Sequence, residues 1–348
     1  MPAVTSGKVL ITGANGYIST WTVKAFLDAG FSVRGTVREE RKAEHLRKVF
    51  STYGDRFEIA LIPDMTLDDA FDAAAAGTSA IIHTASPVNL LAVEPAEAIV
   101  PAERGTVSAL RAAARTPSVR RVVLLSSFAT VIDPRAPVSG PDARARVYDG
   151  ACWNEGDPAE VARLGRASTG VNKYRASKVA AERAAWAAYG EAKAAGGGSC
   201  AWDLAVVNPP WVFGPVMHEV RGGPETMNES NKYWHRTVFE GKPVGVPHSW
   251  IDARDLATAL LLTTTIPAAG GQRFLVAEGP FRWEDFRLLV AKESSKAPPL
   301  EDPYDPSAEY LIRADTRPAQ EILGMVKYRS KEEMVKDMLA DYALRGWL

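Results

Sequence analysis

Tyr174 and Lys178 are the residues of this chain whose types and spacing could do chemistry. On a helix, side chains four positions apart share one face. A phenol titrates near pH ~10 and is a poor acid or base at neutral pH unless its phenolate is favoured. A neighbouring ammonium favours it by direct charge stabilisation. The spacing therefore predicts a pair able to deliver a proton. Taken alone, it also fits an ordinary surface pair on an amphipathic helix, worth only about 0.2–0.5 kcal/mol.

Context gives the pair a reacting centre. Ser126-Ser127 closes the apolar run Val122-Val123-Leu124-Leu125, and strand C-termini are where ligands sit in open α/β sheets. Ser127 there can donate to a substrate carbonyl oxygen. Thr12-Gly13-Ala14-Asn15-Gly16-Tyr17 stands between a predicted strand at 8–12 and a predicted helix at 17–29. Glycines in that setting allow a tight turn and let a pyrophosphate approach the N–H groups of the helix N-terminus. An ordinary strand-to-helix turn would look the same, and Ser19 replaces an expected third glycine. The order of the three features points to a dinucleotide-dependent reductase.

The end of the second predicted strand selects the cofactor. An NAD site places an acid there for the ribose 2′-hydroxyl; this chain has Thr36-Val37-Arg38, then Arg41 and Lys42. A guanidinium pairs with a 2′-phosphate, so NADPH is the expected cofactor. Part of the charged run 38–48 reads instead as the solvated face of a helix.

These residues need a scaffold that brings them to one edge. Strand-like runs at 8–12, 31–37, 57–62, 80–84, 121–126, 204–208 and 273–276 alternate with helical patterns, including 41–53 and 171–193. That rhythm predicts an α/β fold, a Rossmann-like doubly wound parallel sheet. On the 17–29 helix, Ile18, Trp21, Thr22, Ala25 and Phe26 are the expected buried face. Residue 250 opens a strand end leading into a helix to 265, and 331–343 reads as helix. Residues 1–208 with 250–276 form the expected nucleotide-binding domain; 209–249 and 277–348 form a smaller, mostly helical substrate lobe.

Charge and composition exclude other classes. The chain has 41 basic and 42 acidic residues, net -1, which argues against nucleic-acid or membrane-surface partners. Two cysteines far apart, without C-x-x-C, exclude a disulfide framework and a cysteine zinc site. No signal peptide or spanning segment stands out, so a cytoplasmic location is expected. Five histidines lack metal-ligand spacing, so no metal is expected. His83, at the end of an apolar strand, reads as packed and hydrogen-bonded rather than catalytic. No G-x-S-x-G elbow supports a hydrolase.

Taken together, Val9–Ile18, Gly35-Thr36-Val37-Arg38, His83-Thr84-Ala85-Ser86-Pro87, residues 116–127, Tyr174-Arg175-Ala176-Ser177-Lys178, Asn208-Pro209 and residues 250–255 resemble the extended short-chain dehydrogenases/reductases nearly end to end. Within them the chain is most similar to fungal NADPH-dependent carbonyl reductases and plant dihydroflavonol reductases. The resemblance implies a catalytic triad of Ser127, Tyr174 and Lys178. It implies cofactor contacts from Gly13, Asn15, Gly16, Tyr17 and Ile18 at the turn, and Arg38 and Lys42 at the 2′-phosphate. Asp64 and Met65 match the adenine pocket, and Thr84, Ala85 and Ser86 the segment beside phosphates and ribose. Pro209 and Val212 match positions lining the nicotinamide, as Tyr174 and Lys178 do beside the ribose. It implies a small-molecule aldehyde or ketone substrate, keto esters included, and a monomer or homodimer. Arg104 stands where many relatives have an asparagine, and Asn172-Lys173-Tyr174-Arg175 departs from the cinnamoyl-CoA reductase pattern. Alternatives are dihydroflavonol-reductase-like activity, a sugar-nucleotide epimerase or dehydratase, and a non-catalytic NADP-binding regulator. Specificity is expected in the loops at 134–153 and 215–234.

Overall fold

A computed structural model describes every residue except 1–3, 133, 134, 136–144, 199, 243, 244, 300–303, 306 and 308; much of the 134–153 loop thus lies outside the described residues. Through the first half, β1 (Lys8–Ile11), α1 (Tyr17–Asp28), β2 (Ser32–Val37), α2 (Glu40–Val49), β3 (Phe57–Leu61), α3 (Asp72–Ala75), β4 (Ala80–His83), α4 (Ala96–Arg115) and β5 (Arg121–Leu125) alternate. Next come β6 (Arg146–Tyr148), α5 (Gly156–Leu164), α6 (Gly170–Ala195), β7 (Asp203–Asn208), β8 (Trp211–Phe213), α7 (Glu229–Glu240), β9 (Ser249–Asp252), α8 (Ala253–Thr265) and β10 (Arg273–Leu275). The chain closes with β11 (Gly279–Pro280), α9 (Trp283–Glu293), β12 (Ile312–Ala314), α10 (Arg317–Leu323) and α11 (Lys331–Leu344).

Seven parallel strands form the central sheet in the order β10-β7-β5-β4-β1-β2-β3. The order reverses at β1, so its C-terminal edge next to β4 is the switch point at which a doubly wound sheet opens a crevice. The strands read as apolar runs because both faces are covered. Ile11, Ile82 and Val123 face one core with α1 and α8. Leu10, Ile81, Val122 and Leu124 face the other, with α3, α4 and α6.

A separate aromatic core lies beyond the sheet. Phe213, Trp234, Trp250, Phe281, Trp283, Phe286, Met334, Met338 and Tyr342 are buried together, several rings meeting edge to face. That geometry adds about 0.5–1.5 kcal/mol per pair beyond area burial. β8 and β9 pair in parallel here and β11 joins antiparallel, so β9 leads into α8 from outside the central sheet.

One expected face is rotated. α1 buries Ser19, Thr20, Thr22, Val23, Phe26 and Leu27, whereas Ile18 and Trp21 are only partly buried against the core. The helix is pressed between the sheet and α8, and its inward threonines are satisfied by their own helix: Thr20 donates to Gly16 O and Thr22 to Ile18 O. Polar residues can therefore face inward. Trp21 instead uses its indole N–H on Pro215 O, 2.9 Å away.

Candidate active site

At the β1/β4 switch point a cleft of about 330 Å³ is lined by Gly13, Asn15, Gly16, Arg38, Lys42, Met65, Thr84, Ala85 and Ser86, with Ser19, Thr36, Ile62, Phe71 and Pro87 among its other walls. Gly13 holds φ +65°, and a Cβ there would come within 3.1 Å of Ala85; a side chain would both strain the turn and close the cleft. Gly13 N–H donates to Thr36 Oγ1 (3.0 Å), tying the turn to β2. Ser19, in place of the third glycine, is buried and shares a 2.9 Å hydrogen bond with Thr84 Oγ1. The small hydroxyl keeps the close packing and adds a tether. Arg38 is exposed at the end of β2, and its charge helps hold the Asp64 carboxyl below its ordinary range, after the Thr66 hydrogen bonds.

Other expected contacts lie outside this lining. Tyr17 is buried, its hydroxyl donating to Gly214 O (2.9 Å) and its ring meeting His218 edge-on. Ile18 and Val212 pack in the core between α1 and α8, and the Asp64 carboxylate accepts from Thr66 N and Oγ1 within its own turn. Pro209 O accepts Phe128 N–H (2.8 Å), which places it beside the serine turn. Thr36, Ile62 and Phe71 were missed as lining residues. Thr36 follows from its place at the end of β2; Phe71 has no sequence signal, since it sits at the start of a four-residue helix.

The second half of the site starts where β5 ends. Ser127 caps a 3-10 turn over Phe128–Thr130, its Oγ accepting Ala129 N–H (3.1 Å). Thr169 caps α6 by accepting Asn172 N–H (3.1 Å), and the helix then carries Tyr174 and Lys178 inward. Burial pushes the Tyr174 phenol up; the nearby Ser127 hydroxyl and the Arg175 charge oppose that rise. Lys178 is 6% exposed, and its ammonium donates to Leu125 O at 3.3 Å. Burial pushes Lys178 down to about 8 against the attraction of Glu182. Ser127 and Arg175 favour the phenolate here.

His83 sits between the two halves, and its hydrogen bonds fix its tautomer. Thr12 Oγ1 accepts Thr84 N–H and Ala85 N–H (both 3.0 Å), which occupies both lone pairs. Its own hydrogen must go to His83 Nδ1, 3.0 Å away, so the imidazole proton resides on Nε2. Burial, with the Lys178 charge, pushes His83 down to about 3, so the ring is neutral at pH ~7. Arg104, at the asparagine position of many relatives, is exposed on α4 and plays no part here.

The loop after Ser86 ties both halves together. A Cβ on Gly170, the first residue of α6, would stand 1.9 Å from Leu90 O, so only glycine admits this contact. Three residues on, the buried Lys173 ammonium donates to Ala92 O, Val93 O and Arg166 O at 2.8–3.0 Å. The segment that borders the cleft is therefore pinned to the start of the helix that bears Tyr174.

Comparison with known proteins agrees with this arrangement. The profile of the NAD dependent epimerase/dehydratase family matches residues 9–277. The chain belongs to this family, the extended short-chain dehydrogenases/reductases. Aldehyde reductase 2 of Sporidiobolus salmonicolor is 32% identical over 344 residues, covering 95% of this chain and 94% of that protein. Cinnamoyl-CoA reductase 1 of Arabidopsis thaliana is 34% identical over 81% of this chain and 74% of its own. Among solved structures, yeast methylglyoxal/isovaleraldehyde reductase Gre2 complexed with NADPH superposes with a TM-score of 0.85 at 26% identity, covering 98% of this chain and 100% of the other. Among the described residues no helix is long and apolar enough to cross a membrane.

Proposed function

We propose that this chain is an NADPH-dependent carbonyl reductase that converts aldehydes and ketones to alcohols, with Tyr174 as proton donor. The observation that carries the reading is Ser127 at the end of β5 with Tyr174 and the buried Lys178 on α6 beside it, next to a cleft whose far end bears Arg38 and Lys42. The aldehyde reductase and the NADPH-bound Gre2 structure support the same chemistry. When bound, NADPH supplies the hydride. Gly13 and Gly16 give backbone room to its phosphates, and Arg38 with Lys42 meets the 2′-phosphate. Ser127 donates to the substrate carbonyl oxygen and holds it against Tyr174. Because burial keeps Tyr174 protonated, the phenol gives up its proton only as charge develops on that oxygen. Lys178 holds the ribose and balances the charge left behind. Residues 209–249 and 277–348 act as the lobe that covers the substrate, and the protein works in the cytoplasm.

A sugar-nucleotide epimerase would need an acid at the end of β2, where Arg38 stands. The deciding experiment is NADPH oxidation against β-keto esters, aryl ketones, diketones and aldehydes, with chiral analysis of each alcohol. Stoichiometric NADPH consumption with one class preferred is expected. No consumption with any carbonyl, or turnover on a retained NAD alone, would overturn the reading.

A further inference from the structure

Behind Ser127 and Lys178 lies a polar cluster that the chemistry above does not use. Glu182, one helical turn past Lys178, is fully buried. Its Oε2 accepts from Ser126 Oγ (2.5 Å) and Asn208 Nδ2 (2.8 Å), and lies 2.8 Å from Thr130 Oγ1. Its Oε1 accepts Arg273 Nε (2.5 Å). The geometry points to Glu182 as the positioning residue of this site: its carboxylate fixes the turn that carries Ser127 and sets a negative charge one helical turn from the Lys178 ammonium. This inference rests on the reductase reading.

Two lines of geometry meet at one carboxylate. Ser126 and Thr130 bracket Ser127 and its 3-10 turn, and both are fastened to Glu182. Asn208 Nδ2 also lies 3.2 Å from Ser127 O and 2.9 Å from Thr130 Oγ1, so its two hydrogens are shared among Glu182 and the serine turn. Along α6, Glu182 is the acidic side chain on the face that Lys178 shares. Burial drives Lys178 toward its neutral form, and Glu182 is the attraction that opposes it. The other groups around Lys178 do not replace it. Tyr174 lies one turn before it, His83 on β4 is neutral, and β5 offers only Leu125 O. α4 buries Ala102, Thr106 and Ala109 and no charged side chain. On α5, Asp157 lies 3.8 Å from Arg175 instead, and Arg273 on β10 stands behind Glu182.

Arg273 makes the inference testable by sign. It is 8% exposed in its side chain, donates to Gly150 O and Cys152 O (2.9 and 2.6 Å), and its guanidinium stacks 4.1 Å from the Trp153 ring. By pairing with Glu182 it restrains the charge that Glu182 exerts on Lys178. A group whose protonated form is required loses activity as pH rises through its pKa. Glu182→Gln therefore moves the basic limb of kcat/KM down, by about one pH unit. Arg273→Gln frees the carboxylate and moves the same limb up, and Glu182→Asp, which keeps the charge, leaves it near the wild-type position. A purely structural network predicts lower stability in all three variants and no opposed movement.

The test measures kcat and KM from neutral to alkaline pH for a carbonyl that the wild type reduces, in all three variants, with NADPH binding and thermal unfolding recorded alongside. Opposed limb shifts, with most of the Glu182→Gln loss in kcat rather than KM, support the role. Limbs that stay put or move in the same direction overturn it. Should Glu182→Gln fail to fold, Arg273→Gln decides alone: an upward shift supports the role, and an unmoved or lowered limb overturns it. Absence of any carbonyl turnover by the wild type sinks the reductase reading and this inference together, whereas active variants with unmoved limbs sink the inference only.

Discussion

The two ends of the central sheet each bury an arginine–carboxylate pair, and they differ in what is left unpaired around it. At the N-terminal end Arg121 and Asp203 face each other in register as the first residues of β5 and β7. Nε and one Nη of Arg121 bind the two Asp203 oxygens at 2.7 and 2.8 Å. The remaining donors reach Thr263 O, Ile266 O and Pro267 O, so all five N–H groups are used. At the C-terminal end Glu182 and Arg273 are as well supplied, yet His83 Nε2 and Asn208 Oδ1 are buried without a partner among the described residues, and Lys178 has one long bond. A buried polar group left unsatisfied costs about 1–3 kcal/mol. One end is closed chemistry that holds strands together; the other keeps groups free where a ligand arrives.

That contrast can be broken in order of effect. Tyr174→Phe should lower turnover by up to about 10⁴-fold while the melting temperature and NADPH affinity stay near wild type. Comparable turnover in steady-state assays would remove the C-terminal end from the chemistry. Arg121→Met leaves Asp203 buried and uncompensated, and breaking such a pair costs about 3–5 kcal/mol. Urea unfolding should register the loss while kcat/KM per folded molecule is unchanged; lost activity in the folded fraction would erase the distinction between the ends. Arg38→Ala, at an exposed cation, should weaken NADPH about ten- to hundredfold and NADH far less. The difference should shrink at high salt, because exposed charges are screened, and equal losses for both cofactors in fluorescence titrations would contradict the phosphate role.

The smallest effect concerns acid. His83 and His248 are pushed down to about 3 and His218 to about 4, chiefly by burial. Their unfolded forms take up protons below pH ~6.5 while the folded forms do not. The stability they permit is thus present above pH ~6.5 and is lost as pH falls from there toward about 4. His83→Asn should flatten the fall of melting temperature with acid by up to one proton's worth. An unchanged slope would place the acid sensitivity elsewhere.

Most of the scaffold and the outline of the site were legible in the sequence because each left a local signal. Buried parallel strands such as Val122–Leu125 read as apolar runs, and the glycine turn and Tyr174–Lys178 have fixed spacing. What was hidden depends on contacts far apart in the chain. The face of α1 was misjudged because α8, more than 200 residues later, decides which side is inward. β6 and β12 form a parallel pair with no periodicity to announce it. Burial, the force that raises Tyr174 and lowers Lys178, has no sequence signature. Glu182 was invisible for the same reason: its partners come from three separate segments, the serine turn, the end of β7 and β10.

The position of Arg273 bears on the order in which the protein is made. The cleft is built from residues 13–87, all of which leave the ribosome early. The serine turn is braced by a guanidinium on β10, the edge strand added last to the central sheet. Because domains fold as units while synthesis proceeds, the one sheet that carries both the cleft and the serine turn is complete only after β10 has been made. Turnover therefore waits for the C-terminal quarter of the polypeptide.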